Sequence, residues 1–329
     1  MYKHFCSLLI LSGFLVTGCT KDFTIHPQGS TPFYVIEGRI SNLLGPYYIR
    51  VTRSTDSLGK GFRDSVSWLE DVEAVKGAEI ILSDDMGVSD TLQPASPNAY
   101  RYTYRWVNGQ IDSSLEPLSP LDASYTYDQG YYETKRIVGI PGHTYHLQVR
   151  IGGQVFQATT TMPPAAPEID SAILAYVNTT PGTKTAFISF KEPQNEKNYY
   201  LLQLAEIYYY RYDAAIIQGY GQHSIFPYYV FDDRALSPYV SRMEVDAYIS
   251  DYFYYGRIKP YDVFPDETPQ VRLGAINSET YNYFNTLTKQ FLDDGNAYKP
   301  APASAKGNVS GGALGLFWAT AFSTKLIYQ

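Results

Sequence analysis

The sequence predicts a mainly β protein, organised as a β-sandwich followed by a second β-rich unit with one helix, and three observations lead there. Short runs of β-branched and aromatic residues recur along the chain, each bounded by Gly, Pro, Asn or Asp. A proline cluster, Met162-Pro163-Pro164-Ala165-Ala166-Pro167, separates an earlier set of such runs from a later one. One segment, beginning at Ser278, repeats its apolar residues at helical rather than strand spacing.

The chain opens with Lys3 and an apolar run from Phe5 to Val16, followed by Thr17-Gly18-Cys19. A charged start, a short apolar core and small residues before a break describe a secretory signal, so residues 1–18 are expected to be a signal peptide. The apolar run falls short of the roughly 20 residues needed to span a bilayer as a helix. Val16-Thr17-Gly18-Cys19 is similar to a lipobox, in which the Cys thiol takes a diacylglycerol and the preceding chain is cut away. Cys19 is therefore the expected lipidated first residue of the mature protein, held to a membrane by its lipid. The only other cysteine, Cys6, leaves with the signal, so the mature body has no thiol for a disulfide, a thiolate metal site or a nucleophile. Thr20, Lys21 and Asp22 resemble the signal that sends lipoproteins of Bacteroidetes to the outer face of the outer membrane. Residues 19–32, polar and interrupted by Pro27, Gly29 and Pro32, read as a tether.

Residues 33–162 are expected to form the sandwich. Phe33 to Ile40 is β-branched and aromatic; Tyr48 to Arg53 alternates, with Tyr48, Arg50 and Thr52 on one face and Ile49 and Val51 on the other. Ala78 to Ser83 is a strand closed by the turn Asp84-Asp85-Met86-Gly87, and Ala99 to Trp106 alternates Tyr with Arg and Thr. His143 to Ile151 and Gln154 to Thr161 read as a hairpin across Gly152-Gly153, a dipeptide that accepts positive φ at both turn positions. Residues 163–167 are the linker, and residues 168–329 the second unit. Its strands are expected at Ser171–Tyr176, Thr185–Phe190, Tyr199–Tyr212 and Arg242–Ile249. The helix, about 278–294, has Ser278 as its expected cap, Glu279 in its first turn, Tyr281, Phe284, Leu287 and Phe291 on one face, and Gly295 beyond its end. The apolar tail from Gly311 to Tyr328 reads as a closing strand or strand pair of the second unit.

These segments occur in an order that resembles a known family. Phe33 to Ile40, Gly77-Ala78-Glu79-Ile80 with Asp84 to Gly87, Pro141 to Leu147, Thr161 to Pro164, Asn198 to Leu202 and Gly307 to Phe317 together are similar to the Bacteroidetes lipoprotein family of domain of unknown function 4249. The resemblance implies an outer-membrane lipoprotein, often encoded beside a SusC-like TonB-dependent transporter, with a first domain like the immunoglobulin-like or transthyretin-like modules of such systems. It brings no catalytic residues.

Tyrosine is the compositional outlier, at 32 residues against 16 Phe and 3 Trp. Its broad apolar ring and polar tip suit interfaces and sugar faces, and equally suit the margins of a packed sheet. The positions expected to touch a ligand or partner are Trp106, Tyr125, Tyr127, Tyr131, Tyr132, Tyr228, Tyr229, Tyr254 and Tyr255. Consecutive tyrosines in a strand face opposite ways, so at least one of each such pair is expected to be less buried. His143 and His146, the closest histidine pair, stand at a spacing that puts strand residues on opposite faces, which disfavours a shared metal. No nucleophile elbow, phosphate loop, zinc-protease motif or EF-hand loop occurs. No enzyme activity, cofactor or metal is therefore expected. The net charge of −7 and the lack of a basic stripe argue against nucleic acid. The expected role is a surface-exposed accessory or ligand-capture partner of a transporter in nutrient uptake; the alternative is a freestanding adhesin or glycan-binding lipoprotein.

Overall fold

The computed structural model describes residues 32–43, 45–54, 73–95, 100–107, 110–117, 127–176, 183–194, 196–212, 215–223, 229–250, 257–258, 270–291 and 304–327. The protein is mainly β. Its first half contains β1 (Tyr34–Ser41), β2 (Tyr48–Arg53), β3 (Glu73–Ala74), β4 (Glu79–Asp84), β5 (Ser89–Thr91), β6 (Gln93–Pro94), β7 (Tyr100–Val107), β8 (Gln110–Pro117), β9 (Tyr131–Glu133), β10 (Thr144–Ile151) and β11 (Gln154–Thr161). The second half contains β12 (Ile169–Tyr176), β13 (Thr183–Lys191), β14 (Tyr199–Tyr212), β15 (Ala215–His223), β16 (Tyr229–Asp232), β17 (Tyr239–Ser250), β18 (Arg257–Ile258) and β19 (Gln270–Ala275). The helix α1 (Ser278–Phe291) and the final strand β20 (Phe317–Leu326) complete it.

Local chemistry explains several of these boundaries. The β10–β11 hairpin turns on Gly152 and Gly153, at φ 54° and 86°, and pairs Ile151 with Gln154. The turn after β4 is closed by Asp84, whose side chain accepts from the Met86 and Val88 amides at 3.0 and 2.8 Å. The helix is capped one residue earlier than the sequence suggests. Asn277, not Ser278, accepts from the Thr280 amide through Oδ1 at 2.8 Å, and its carbonyl takes the first helical bond from Tyr281. Gly295 lies outside the described residues.

One long sheet runs β6-β9-β2-β1-β20-β19-β14-β15-β7-β8, with β3, β16 and β18 attached beside it. Two smaller sheets, β11-β10-β4-β5 and β12-β13-β17, supply the opposing layers. Alternation along β20 shows how the layers stack. Phe317, Ala319 and Ala321 join Ile36, Ile49, Leu82, Tyr145 and Phe156 in a first core. Ala275 of β19 lies directly opposite Ala321, so it shares that face and carries it into a second core with Leu273, Tyr200, Ile188 and Phe190. Trp318 and Phe322 point the other way and meet Leu201, Ile276 and Phe284 beneath α1. Both small sheets thus pack on one face of the long sheet, and the helix packs on the other.

The closing strand departs from the expectation that it stays within the second unit. β20 pairs antiparallel with β19 and parallel with β1, placing Gly38 opposite Phe317 and Ser41 opposite Thr320. The segment before it runs against the first half as well: the Leu314 amide bonds the Tyr34 carbonyl at 2.8 Å and the Ser310 amide the Gln157 carbonyl at 2.8 Å. Gly315 makes this approach feasible, since a Cβ there would sit 2.0 Å from the Ile36 carbonyl oxygen. The proline segment marks the change of core, with Met162 fully buried in the first and Ala166 in the second, yet the two units share a single sheet.

Candidate functional site

Helix α1 covers only part of its face of the long sheet. Phe284 sits edge-on to Trp318 at 5.1 Å, and Tyr281 stacks on Tyr199 at 4.9 Å, so the helix lies over β20 and β14. Beside it, β1, β2 and β9 present the side chains that alternation turns away from the first core. These are Glu37 and Arg39 from β1, Tyr48 and Arg50 from β2, and Tyr131 from β9. Tyr283 stands on the helix side of this trough. Burial raises its hydroxyl above the ordinary tyrosine range, and the nearby Glu37 carboxylate adds to the shift.

Ring faces and one carbonyl hold the two guanidinium groups of the trough. Arg39 lies over the Trp318 ring at 5.7 Å and the Phe322 ring at 6.0 Å, so it closes the rim of the core beneath the helix. Arg50 lies over Tyr131 at 5.3 Å and donates through Nε to the Gln129 carbonyl at 3.1 Å. Tyr131 in turn meets Tyr48 edge-on at 6.3 Å. Glu37 is directly across the ladder from Arg50, and Arg39 is diagonal to it. The trough therefore gathers planar cations, phenol rings and one exposed carboxylate on a rigid sheet, a set suited to orienting a polar ligand.

The expected contact residues scatter when placed in the fold. Tyr131 joins the trough. Its neighbour Tyr132 does not: it is 1% exposed in the first core, its hydroxyl donating to the Val75 carbonyl at 2.8 Å and accepting from the Ala78 amide at 3.0 Å. The reading of Tyr132 as a contact residue is corrected by strand alternation, which turns it inward as it turns Tyr131 outward. Tyr229 is half-buried on β16, with its ring 5.7 Å from Phe231, and packs against the second core. Trp106 falls on β7 and Tyr127 opens a short 3-10 turn, but their side chains lie outside the described residues. Cys19, Thr20, Lys21, Asp22, Tyr125, Tyr228, Tyr254 and Tyr255 also lie outside them. Glu37, Arg39, Arg50, Tyr48 and Tyr283 were not singled out from sequence. The alternation of Tyr48 and Arg50 was the available signal, but it does not say which face a distant helix will leave open.

His143 and His146 serve separate structural roles. His143 precedes β10 and pairs through Nδ1 with Asp85 Oδ1 at 2.7 Å, and this bond holds the Asp85 carboxyl below its ordinary range. His146 bonds Thr159 Oγ1 at 3.1 Å on the outer face of the small sheet, beside a shallow concavity of about 300 Å³ lined by Ser83, Gln148 and Gln157. Among the described residues, no three His, Cys, Asp or Glu side chains gather as a metal-binding group. No described helix is long and apolar enough to cross a membrane.

Residues 20–325 match the domain of unknown function DUF4249. The chain belongs to this family. The match covers the first core, the second core except Ile327, and the joining strand as far as Lys325. No curated protein matches the chain.

Proposed function

We propose that this DUF4249 protein is a lipid-anchored outer-membrane protein facing the cell exterior. In this reading it acts as a non-enzymatic accessory or ligand-capture partner of a SusC-like TonB-dependent transporter in nutrient uptake. The observation that carries the reading is Val16-Thr17-Gly18-Cys19 at the end of a short apolar run, with Lys21 and Asp22 just behind it. A thiol at that place supplies the chemistry that lipidation needs, and the polar residues up to Pro32 give the anchored body reach. The trough beside α1 supports the capture role, because its cations and rings are held by packing before any ligand arrives. A second reading, a freestanding glycan-binding lipoprotein, draws on the same trough.

Two measurements test this. Labelled palmitate should enter the native chain and be lost in Cys19→Ala. Affinity capture from solubilised outer membranes should recover a TonB-dependent transporter. Recovery of none, with glycan binding intact, would favour the freestanding role; a wild-type chain that takes up no label would remove the anchor on which both rest.

A further inference from the structure

Charge and shape in the trough narrow the kind of ligand it fits. Arg39 carries five N–H donors in a planar fork. The fork lies over Trp318 and Phe322, and it makes no hydrogen bond or ion pair among the described residues. Arg50 uses Nε on the Gln129 carbonyl, which leaves its two terminal nitrogens without an acceptor among the described residues. Arg39 and Arg50 are diagonal across the ladder, with backbones about 7–8 Å apart, and lean outward, Arg39 over β20 and Arg50 over β9, so a ligand laid between them meets one at each end. Glu37 is exposed and in no ion pair among the described residues, whereas Glu133, opposite Tyr48 on the same face, is buried and paired with Lys135. The patch is thus locally cationic in a chain whose net charge is −7.

We propose that the trough binds a carboxylate-bearing sugar, a uronic-acid unit, with the Arg39 fork gripping the carboxylate and Arg50 donating to hydroxyls at the other end of the ring. A guanidinium matches a carboxylate with two parallel hydrogen bonds, and ring packing has already fixed the orientation of Arg39. Glu37 selects against a multiply charged phosphate, which it repels, and accepts from the hydroxyls that a sugar brings. This rests on the reading that the protein itself contacts ligand; the transporter capture does not depend on it.

Calorimetric titration of the full-length lipidated protein in detergent, with glucuronic acid, glucose and glucose 6-phosphate as probes, tests it. Glucuronic acid should bind at least about tenfold more tightly than either of the others, the scale of a charge-assisted bidentate pair. Arg39→Gln should weaken it by about tenfold or more, and Arg39→Lys, which keeps the charge without the fork, by less. Because the Arg39 stem also packs on Trp318, Arg50→Gln provides an independent variant, and it too should weaken binding. Equal affinity for glucose, tighter binding of glucose 6-phosphate, no saturable binding of glucuronic acid, or unchanged affinity in folded Arg39 and Arg50 variants would each overturn the proposal. Recovery of a transporter alongside any of these results leaves the accessory role standing.

Discussion

In the first core, every buried tyrosine hydroxyl is put to use. Tyr47 donates to the Leu43 carbonyl and accepts from the Gly139 amide, Tyr132 links Val75 and Ala78, and Tyr145 ties down the 138–140 loop. Buried Asp90 accepts from three successive amides, those of Lys135, Arg136 and Ile137, at 2.7, 2.6 and 3.3 Å. The second half is provisioned differently. Glu192, 2% exposed, accepts from Tyr200 and Asn198 through one oxygen, while its other oxygen has no partner. Gln203, 1% exposed, has no partner for either amide atom. An unpaired buried polar group costs about 1–3 kcal/mol, so buried side chains of similar polarity stabilise or tax the fold according to their partners; Thr160 Oγ1, buried in the first half, is unpaired as well. Buried polarity by itself therefore says little about stability; the partners decide.

Substitutions at these places sharpen the contrast. The largest effect is expected for Asp90→Ala, which strands three amides at once and should lower unfolding stability by about 3 kcal/mol, read from the urea midpoint. Tyr132→Phe keeps the ring and removes a hydroxyl with two partners, a loss of about 1–2 kcal/mol in the same assay. Gln203→Leu should move the midpoint the other way, a gain of about 1 kcal/mol, because nothing satisfied is lost. If Gln203→Leu destabilises as much as Tyr132→Phe, the distinction between partnered and unpartnered buried groups fails. The smallest effect is the pH dependence from Glu192. Burial raises its carboxyl above the ordinary value of 4.5, with the Asp233 and Glu196 charges adding and the Tyr200 and Asn198 hydrogen bonds opposing. The folded protein then binds this proton more tightly than the unfolded chain. The contribution is present in full below the unfolded value and is lost as pH climbs through the folded one. Glu192→Gln should flatten that decline, so melting curves for the two proteins should diverge towards neutral pH and approach each other in acid.

The sequence made visible whatever depends on near neighbours. The Gly152-Gly153 turn, the inward and outward sets of β2 and the helical repeat of Tyr281, Phe284 and Leu287 all appear where local pattern places them. The cap moved from Ser278 to Asn277 because both residue types accept from an early helical amide, and only backbone geometry chooses between them. Proline chemistry located the change of core but concealed the common sheet, since pairing of β1 with β20 leaves no local trace in either strand. The trough was hidden for the same reason. Arg39 becomes a fixed donor only when Trp318 and Phe322, from the far end of the chain, slide beneath it.

The parallel match of β1 with β20 also sets an order of events. As the chain emerges N-terminus first, one edge of β1 waits without its neighbour until β20, Phe317–Leu326, has emerged. Contacts this far apart in sequence slow folding, because the intervening chain must be closed before they form. An unpaired edge is meanwhile open to other strands. The last strand therefore acts as a proof of completeness: a chain cut short before Phe317 lacks the common wall of both cores, and neither half can close without it.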